Sequence, residues 1–124
     1  MSKHETWRTR KFWESIGGLL IEEFEVVKKS ESSARRLIDG VIVLDEETRV
    51  HHSTKFDITG KDVVVVQTKA NRLGMYLLGQ ALFSKKLIKK HNPKSIRTVA
   101  ICGKGDEVME KEAEIEGIEV IVIN

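Results

Sequence analysis

The sequence predicts one α/β domain over residues 1–124, with a mixed β-sheet flanked by helices in the order αβββαβαβ. Short apolar runs within residues 37–44, 62–69 and 96–102 are typical of strands that are buried on both faces. Apolar residues at helical spacing fill residues 73–90, between the second and third of these runs. Three strands in succession predict antiparallel pairing, and the βαβαβ alternation that follows predicts parallel crossovers. A chain of 124 residues has the size of a single hydrophobic core.

The first third of the chain predicts a long helix and two strands. Apolar side chains at helical spacing predict a helix over residues 5–23, and Gly17 and Gly18 within it indicate either close backbone packing or a local kink. A short strand is expected at residues 24–27. The next strand, over residues 37–44, is apolar except for Asp39 and Gly40. An aspartate inside such a strand needs a partner, because an unpaired buried charge is costly.

The rest of the chain alternates between strands and helices. Residues 45–61 are polar and rich in turn signals, with a short edge strand expected near residues 49–53. A strand over residues 62–69 leads into the helix of residues 73–90, which Asn92 and Pro93 terminate. After the strand of residues 96–102, Asp106 is expected to cap a helix that ends at Gly117, and a last strand is expected at residues 120–123. A doubly wound dinucleotide fold is excluded, because the first strand is not followed by a G-x-G-x-x-G motif.

The composition argues against a disulfide-stabilised protein and a membrane-spanning protein, and it does not identify a binding partner. A net charge of +2 gives only weak overall attraction to nucleic acid, so a polyanion site depends on local clusters of Lys and Arg. The single cysteine, Cys102, cannot form an internal disulfide. No apolar run approaches the roughly 20 residues of a membrane span. We therefore expect a cytoplasmic protein with no membrane partner.

The candidate chemistry lies at the end of the strand over residues 62–69, which reads DVVVVQTK. Period-2 geometry places Gln67 and Lys69 on the same face as the buried Val63 and Val65. A partly desolvated lysine needs a carboxylate, a phosphate or a metal-bound water beside it. We expect Asp39, on the preceding central strand, to be its partner.

Asp39 followed by Gln67-Thr68-Lys69 resembles the D and (D/E)-x-K motifs of the PD-(D/E)xK nuclease superfamily. Restriction endonucleases, archaeal Holliday junction resolvases and recombination exonucleases are similar in this core. The resemblance extends over nearly the whole chain, because the helix, the motif strands, and the later helix and strand follow in the same order. Two positions depart from the pattern: Ile38 stands where the family has proline, and Gln67 stands where it usually has an acid.

The resemblance implies a restriction-endonuclease-like fold and a Mg²⁺- or Mn²⁺-dependent nuclease, with DNA favoured over RNA as the substrate. Asp39 and Gln67 are then expected at the metal, and Lys69 is expected to orient or deprotonate the attacking water. An acid on the first helix joins the metal site in resolvase-like members, and Glu14 is the best match. Glu22 and Glu23 are second choices.

Several residues are candidates for binding the nucleic acid. Tyr76 and Gln80, one helical turn apart, resemble the Gln and Tyr found after the lysine in exonuclease-type members. Arg35 and Arg36 precede the Asp39 strand and are candidates for phosphate contacts. Sequence specificity in so small a chain would need a partner protein or a homodimer. The alternative function is a non-catalytic nucleic-acid-binding module on the same fold, because Gln67 removes one negative charge from the metal site.

Overall fold

The structure, a computed structural model, describes residues 3–124. Within these residues the helices and strands follow in the order α1 (Lys3–Ile16), β1 (Leu19–Val27), β2 (Arg36–Val43), β3 (Arg49–Val50), β4 (Asp62–Arg72), α2 (Met75–Ile88), β5 (Ser95–Lys104), α3 (Glu107–Ile115) and β6 (Ile118–Val122). A single 3₁₀ turn, Lys89–His91, extends the end of α2. The two-residue strand β3 coincides with the edge strand that was expected near residues 49–53.

The six described strands form one sheet in the order β3-β1-β2-β4-β5-β6. Strand β2 pairs antiparallel with both β1 and β4, whereas β4, β5 and β6 are parallel to one another. The predicted α/β class and mixed sheet flanked by helices are therefore confirmed, and the architecture is consistent with a restriction-endonuclease-like fold. The connection between β1 and β2 contains no helix, and these strands pair antiparallel, while α2 and α3 supply the crossovers that parallel pairing requires.

The helices cover opposite faces of the sheet. Phe12 of α1 packs in a cluster with Val64 and Val66 of β4. On the other face, Leu77 and Ala81 of α2 pack in a cluster with Ala100 and Cys102 of β5, which α3 joins through Ala113. Successive side chains along β4 thus point alternately to the α1 face and to the α2 face of the sheet. Two side chains from different strands can contact each other only if they lie on the same face.

The prediction of one helix over residues 5–23 is wrong at its C-terminal end. Helix α1 stops at Ile16, and Gly17 and Gly18 follow with φ angles of 76° and 95°, a conformation that favours glycine. Strand β1 begins at Leu19, five residues before the predicted start at residue 24. Leu19, Leu20 and Ile21 are all buried, because β1 lies between β2 and β3 with helices and loops on both faces.

A β-bulge follows Lys69 on β4. Lys69 is opposite Cys102, and Arg72 is opposite Lys104, so two residues of β4 face the single Gly103 of β5. A Cβ atom at Gly103 would overlap the carbonyl oxygen of Ala70. The bulge therefore requires a glycine at this position, and it fixes the end of the strand that carries Lys69.

We expect the Gly103→Ala variant to be about 2 to 3 kcal/mol less stable than the wild type, because the backbone of the bulge must move to admit the methyl group. Thermal unfolding followed by circular dichroism should show a decrease in Tm of about 10 °C. The matched control is Gly79→Ala in α2, where nothing lies within 4 Å of an added Cβ. That change should raise stability by about 0.5 to 1 kcal/mol, since alanine is the better helix former. Equal effects of the two changes would contradict the proposed role of Gly103.

Candidate functional site

The carboxylate of Asp39 joins β2 to β4 at the point where their backbone pairing stops. The ladder pairs Gly40 with Val66 and continues to Val43 and Val63. Immediately beyond it, Oδ2 of the half-buried Asp39 accepts a hydrogen bond of 3.0 Å from the backbone N–H of Thr68. Thr68 lies between Gln67 and Lys69, so the carboxylate of Asp39 is held against the Gln67–Lys69 segment.

Gln67 is buried, and its amide group is oriented by α2. The side chain is 3% exposed, and its Nε2 donates a hydrogen bond of 2.7 Å to Oγ of Ser84, which is buried on α2. This bond directs the amide nitrogen toward the helix. The carbonyl oxygen, the only atom of this side chain that can bind a cation, is the end that Ser84 does not hold.

Lys69 lies on the α2 side of the sheet, next to an exposed aromatic ring. Its Nζ is 5.1 Å from the centroid of the Tyr76 ring, a distance at which a cation and an aromatic face attract each other. Tyr76 is 72% exposed. Lys69 and Tyr76 line a cavity of about 290 Å³ together with Asn71 and Arg72. The lysine is half-buried, and its ammonium group lies at the edge of a space open to solvent.

The three candidate acids from the first part of the chain lie in different places. Glu14 is exposed on α1, which packs on the opposite face of the sheet from Gln67. Glu22 is held by Arg10 through two hydrogen bonds of 2.8 and 2.9 Å. Glu23 falls opposite Asp39, because the residues on either side of the two are paired across β1 and β2. The structure therefore does not bring Glu14 together with Gln67, and it places Glu23, a second choice on the sequence, on the strand next to Asp39.

Glu23 has a φ of 55°, a left-handed conformation that costs an L-amino acid about 1 to 2 kcal/mol. At Glu23 the alternation of buried side chains along β1 shifts by one residue. Leu19 and Ile21 before it, and Phe24 and Val26 after it, pack in the same core cluster. The sequence contains the signal that identifies this position, since the period-2 apolar pattern shifts by one residue at Glu23. Strained residues outside glycine are often found at functional sites.

The two predicted arginines have different surroundings. Nε of Arg35 donates a 2.6 Å hydrogen bond to Glu25, and this bond lowers the pKa of the Glu25 carboxyl. Arg36 is exposed and has no ion pair within residues 6–124, whose side chains the structure describes. Arg36 is therefore the arginine of this pair whose charge is not already matched by a carboxylate.

A cleft lies between the start of β2 and helix α2. Its volume is about 490 Å³, and its lining includes both predicted arginines, Gln67 and Gln80. It also includes two α2 residues that no sequence motif indicated, Phe83 and Ser84. The oxygen of the Gln80 amide is buried and has no hydrogen-bond partner in the described part of the chain. Phe83 and Ser84 follow the helical repeat from Tyr76 and Gln80, but the same spacing also describes core residues.

The other sequence features are not brought to this site. Cys102 is fully buried, and burial raises the pKa of its thiol, as is typical of a core cysteine rather than a nucleophile. Among the residues that the structure describes, no three His, Cys, Asp or Glu side chains are arranged to share a metal ion. No helix within residues 3–124 has the length and apolar character needed to cross a membrane.

Comparison with known proteins identifies no relative: no family model, no curated protein and no solved structure matches this chain.

Proposed function

We propose that this protein is a metal-dependent nuclease that hydrolyses phosphodiester bonds in DNA. The observation that carries the proposal is the 3.0 Å hydrogen bond between Oδ2 of Asp39 and the N–H of Thr68. It connects the two strands that bear the motif residues and holds the Asp39 carboxylate against the segment from Gln67 to Lys69.

The oxygen donors near Asp39 suit a hard cation. Mg²⁺ binds one or two carboxylates and completes its coordination with water and phosphate oxygens. Asp39 and the carbonyl oxygen of Gln67 would hold it, and Glu23 is the carboxylate on the neighbouring strand that could add a second negative charge. When bound, Mg²⁺ or Mn²⁺ supplies a Lewis acid for the phosphate and lowers the pKa of coordinated water. Glu14, the sequence-based prediction for this additional ligand, lies on the opposite face of the sheet from Gln67.

Lys69 supplies the positive charge that phosphodiester hydrolysis requires near the attacking water. Its ammonium group can orient that water by hydrogen bonding and stabilise the negative charge that develops on the phosphoryl oxygens. The Tyr76 ring, 5.1 Å from Nζ, restricts the flexible lysine side chain without removing its charge. This arrangement supports a role for Lys69 in the reaction rather than in folding alone.

A non-catalytic nucleic-acid-binding module is the second candidate function. It is supported by Gln67, because a neutral amide that already donates to Ser84 makes a weaker cation ligand than a carboxylate. Such a module would bind DNA with a strong dependence on salt and without turnover. In either case DNA is the proposed partner, and a homodimer would allow two copies of the site to reach both strands.

Incubation of the purified protein with labelled DNA in Mg²⁺, in Mn²⁺ and in EDTA tests the proposal directly. We expect cleavage that needs a divalent cation and stops in EDTA. RNA of the same sequence, assayed in parallel, tests the expected preference for DNA. Salt-sensitive binding of DNA without any cleavage would support the binding module instead.

The Gln67→Glu change separates the two functions through its effect on stability. Without divalent metal, the variant should be about 3 kcal/mol less stable than the wild type at neutral pH, because a carboxylate replaces a buried amide. Mg²⁺ should raise the Tm of the variant more than that of the wild type, since metal binding to the folded state stabilises it. Differential scanning fluorimetry measures both effects, and calorimetry measures the metal affinity.

The matched control for this experiment is Val108→Glu, which introduces the same charge at an exposed position of α3, outside the cleft and the Asp39 segment. Its stability should change little and should not respond to Mg²⁺. If neither the wild type nor Gln67→Glu binds a divalent metal in calorimetry, the nuclease proposal fails and the binding module is favoured.

A further inference from the structure

The cleft between β2 and α2 has the features of a site for a single nucleobase. Its volume of about 490 Å³ lies within the range of about 300 to 1,000 Å³ typical of small-ligand sites. Val26, Leu37 and Leu87 give it apolar walls, and a few polar groups are set among them. This mixture of apolar wall and isolated polar groups suits a flat, hydrogen-bonding aromatic ring.

Phe83 provides an aromatic surface in this cleft. It lines the cavity and is 62% exposed, so much of the side chain is accessible to a ligand. Base stacking on an aromatic side chain is worth about 1 to 3 kcal/mol and does not depend on the identity of the base. On the same wall, Gln80 lines the cavity, and a side-chain amide can hydrogen-bond to the edge of a base.

The charge of the cleft matches a nucleic acid backbone. Arg36 lines the cavity and has no ion pair within residues 6–124, whereas the neighbouring Arg35 is held by Glu25. Gln67 forms part of the same lining, so the cleft adjoins the segment that contacts Asp39. A base in the cleft would therefore bring the adjoining phosphates next to Asp39 and Lys69.

We propose that this cleft binds an unpaired nucleobase of a DNA strand, stacked on Phe83, with Arg36 at a neighbouring phosphate. A base within a duplex is covered on both faces by its neighbours, so it cannot enter without leaving the stack. The substrate is then DNA with a single-stranded or unpaired segment. This inference rests on the proposed function for the class of ligand and adds the state of the DNA that is bound.

The experiment compares the wild type with Phe83→Ala and Phe83→Trp in EDTA and in Ca²⁺. Fluorescence anisotropy measures binding of a labelled single strand, a blunt duplex of the same sequence and a competing mononucleotide. We expect Phe83→Ala to weaken single-strand binding by about 5- to 150-fold, the equivalent of one stacked base, and to leave duplex binding unchanged. Phe83→Trp should retain the single-strand affinity.

Two controls make the result specific. Met75→Ala removes an exposed apolar side chain from the same helix outside the cleft, and it should leave all affinities unchanged. Arg36→Gln should reduce the salt dependence of single-strand binding by about 0.7 in the slope of log K against log salt, and Arg35→Gln should reduce it less. Circular dichroism of each variant verifies that it is folded.

Three results would overturn the inference: equal behaviour of Phe83→Ala and Met75→Ala, an equal loss of single-strand and duplex binding, or a mononucleotide that binds as tightly as the strand. If Phe83→Ala and Met75→Ala behave alike while DNA cleavage still depends on Lys69, the base site is rejected and the nuclease proposal stands. If single-strand binding depends on Phe83 and no DNA is cleaved, the base site is supported and the nuclease proposal is rejected. Absence of DNA binding by the wild type under both conditions would contradict both.

Discussion

Replacement of Lys69 by alanine is expected to reduce DNA cleavage by about 10³-fold or more, because one side chain both orients the attacking water and stabilises the developing charge. DNA binding should change much less, since Lys69 contributes only one positive charge and Arg72 lines the same cavity. Single-turnover cleavage of a labelled substrate measures the rate, and anisotropy in EDTA measures the affinity. Lys69 is half-buried at the end of its strand, so the variant should remain folded.

The matched control is Lys104→Ala, on β5 opposite Arg72 and close to the same end of the sheet. Lys104 belongs to the Gly-Lys-Gly-Asp segment between the end of β5 and the N-cap of α3, which could itself bind a phosphate ligand. We expect this variant to cleave DNA at the wild-type rate. Cleavage that survives in Lys69→Ala and is lost in Lys104→Ala would move the site to the turn and contradict the assignment.

The Asp39→Asn change should also lower cleavage by about 10³-fold and weaken metal binding, because the site loses the carboxylate that anchors the cation. The fold should be nearly unaffected, since the asparagine oxygen can still accept the hydrogen bond from the N–H of Thr68. Asp39→Ala, by contrast, leaves that N–H without its acceptor and should cost about 1 to 3 kcal/mol of stability. Calorimetry with Mg²⁺ and chemical unfolding separate the two effects.

Asp62→Asn is the control at the other end of β4, where the carboxylate accepts a hydrogen bond from Ser95, and this bond lowers the pKa of Asp62. It should leave cleavage and metal binding unchanged. The same calorimetric titration tests the additional carboxylate. Glu23→Gln should weaken Mg²⁺ binding, because Glu23 lies on the strand next to Asp39. Glu14→Gln should leave Mg²⁺ binding unchanged, because α1 lies on the opposite face of the sheet from Gln67. Normal metal binding by Asp39→Asn would exclude Asp39 as the anchor.

The local sequence patterns were sufficient to predict the fold class and most of the strands. Continuous apolar runs identified β2, β4 and β5, and the cap at Asp106 was predicted correctly, since its Oδ1 accepts from the N–H of Met109. These features depend on residues near one another in the chain. The prediction of a helix over residues 5–23 was wrong at its end for a related reason. Leu19 and Leu20 fit a helical repeat as well as a buried strand, and only their pairing with β2 decides for the strand.

The sequence by itself determined that Asp39 and Lys69 lie on two central strands and need a partner, because a charged residue in an apolar strand is costly wherever that strand lies. Only the tertiary structure decided which groups meet them. The hydrogen bond of Gln67 to Ser84, the position of Glu23 beside Asp39, and the cleft with Phe83 all join segments that are distant in the chain. Their contacts depend on strand register and on which face each helix covers, and no local pattern contains that information.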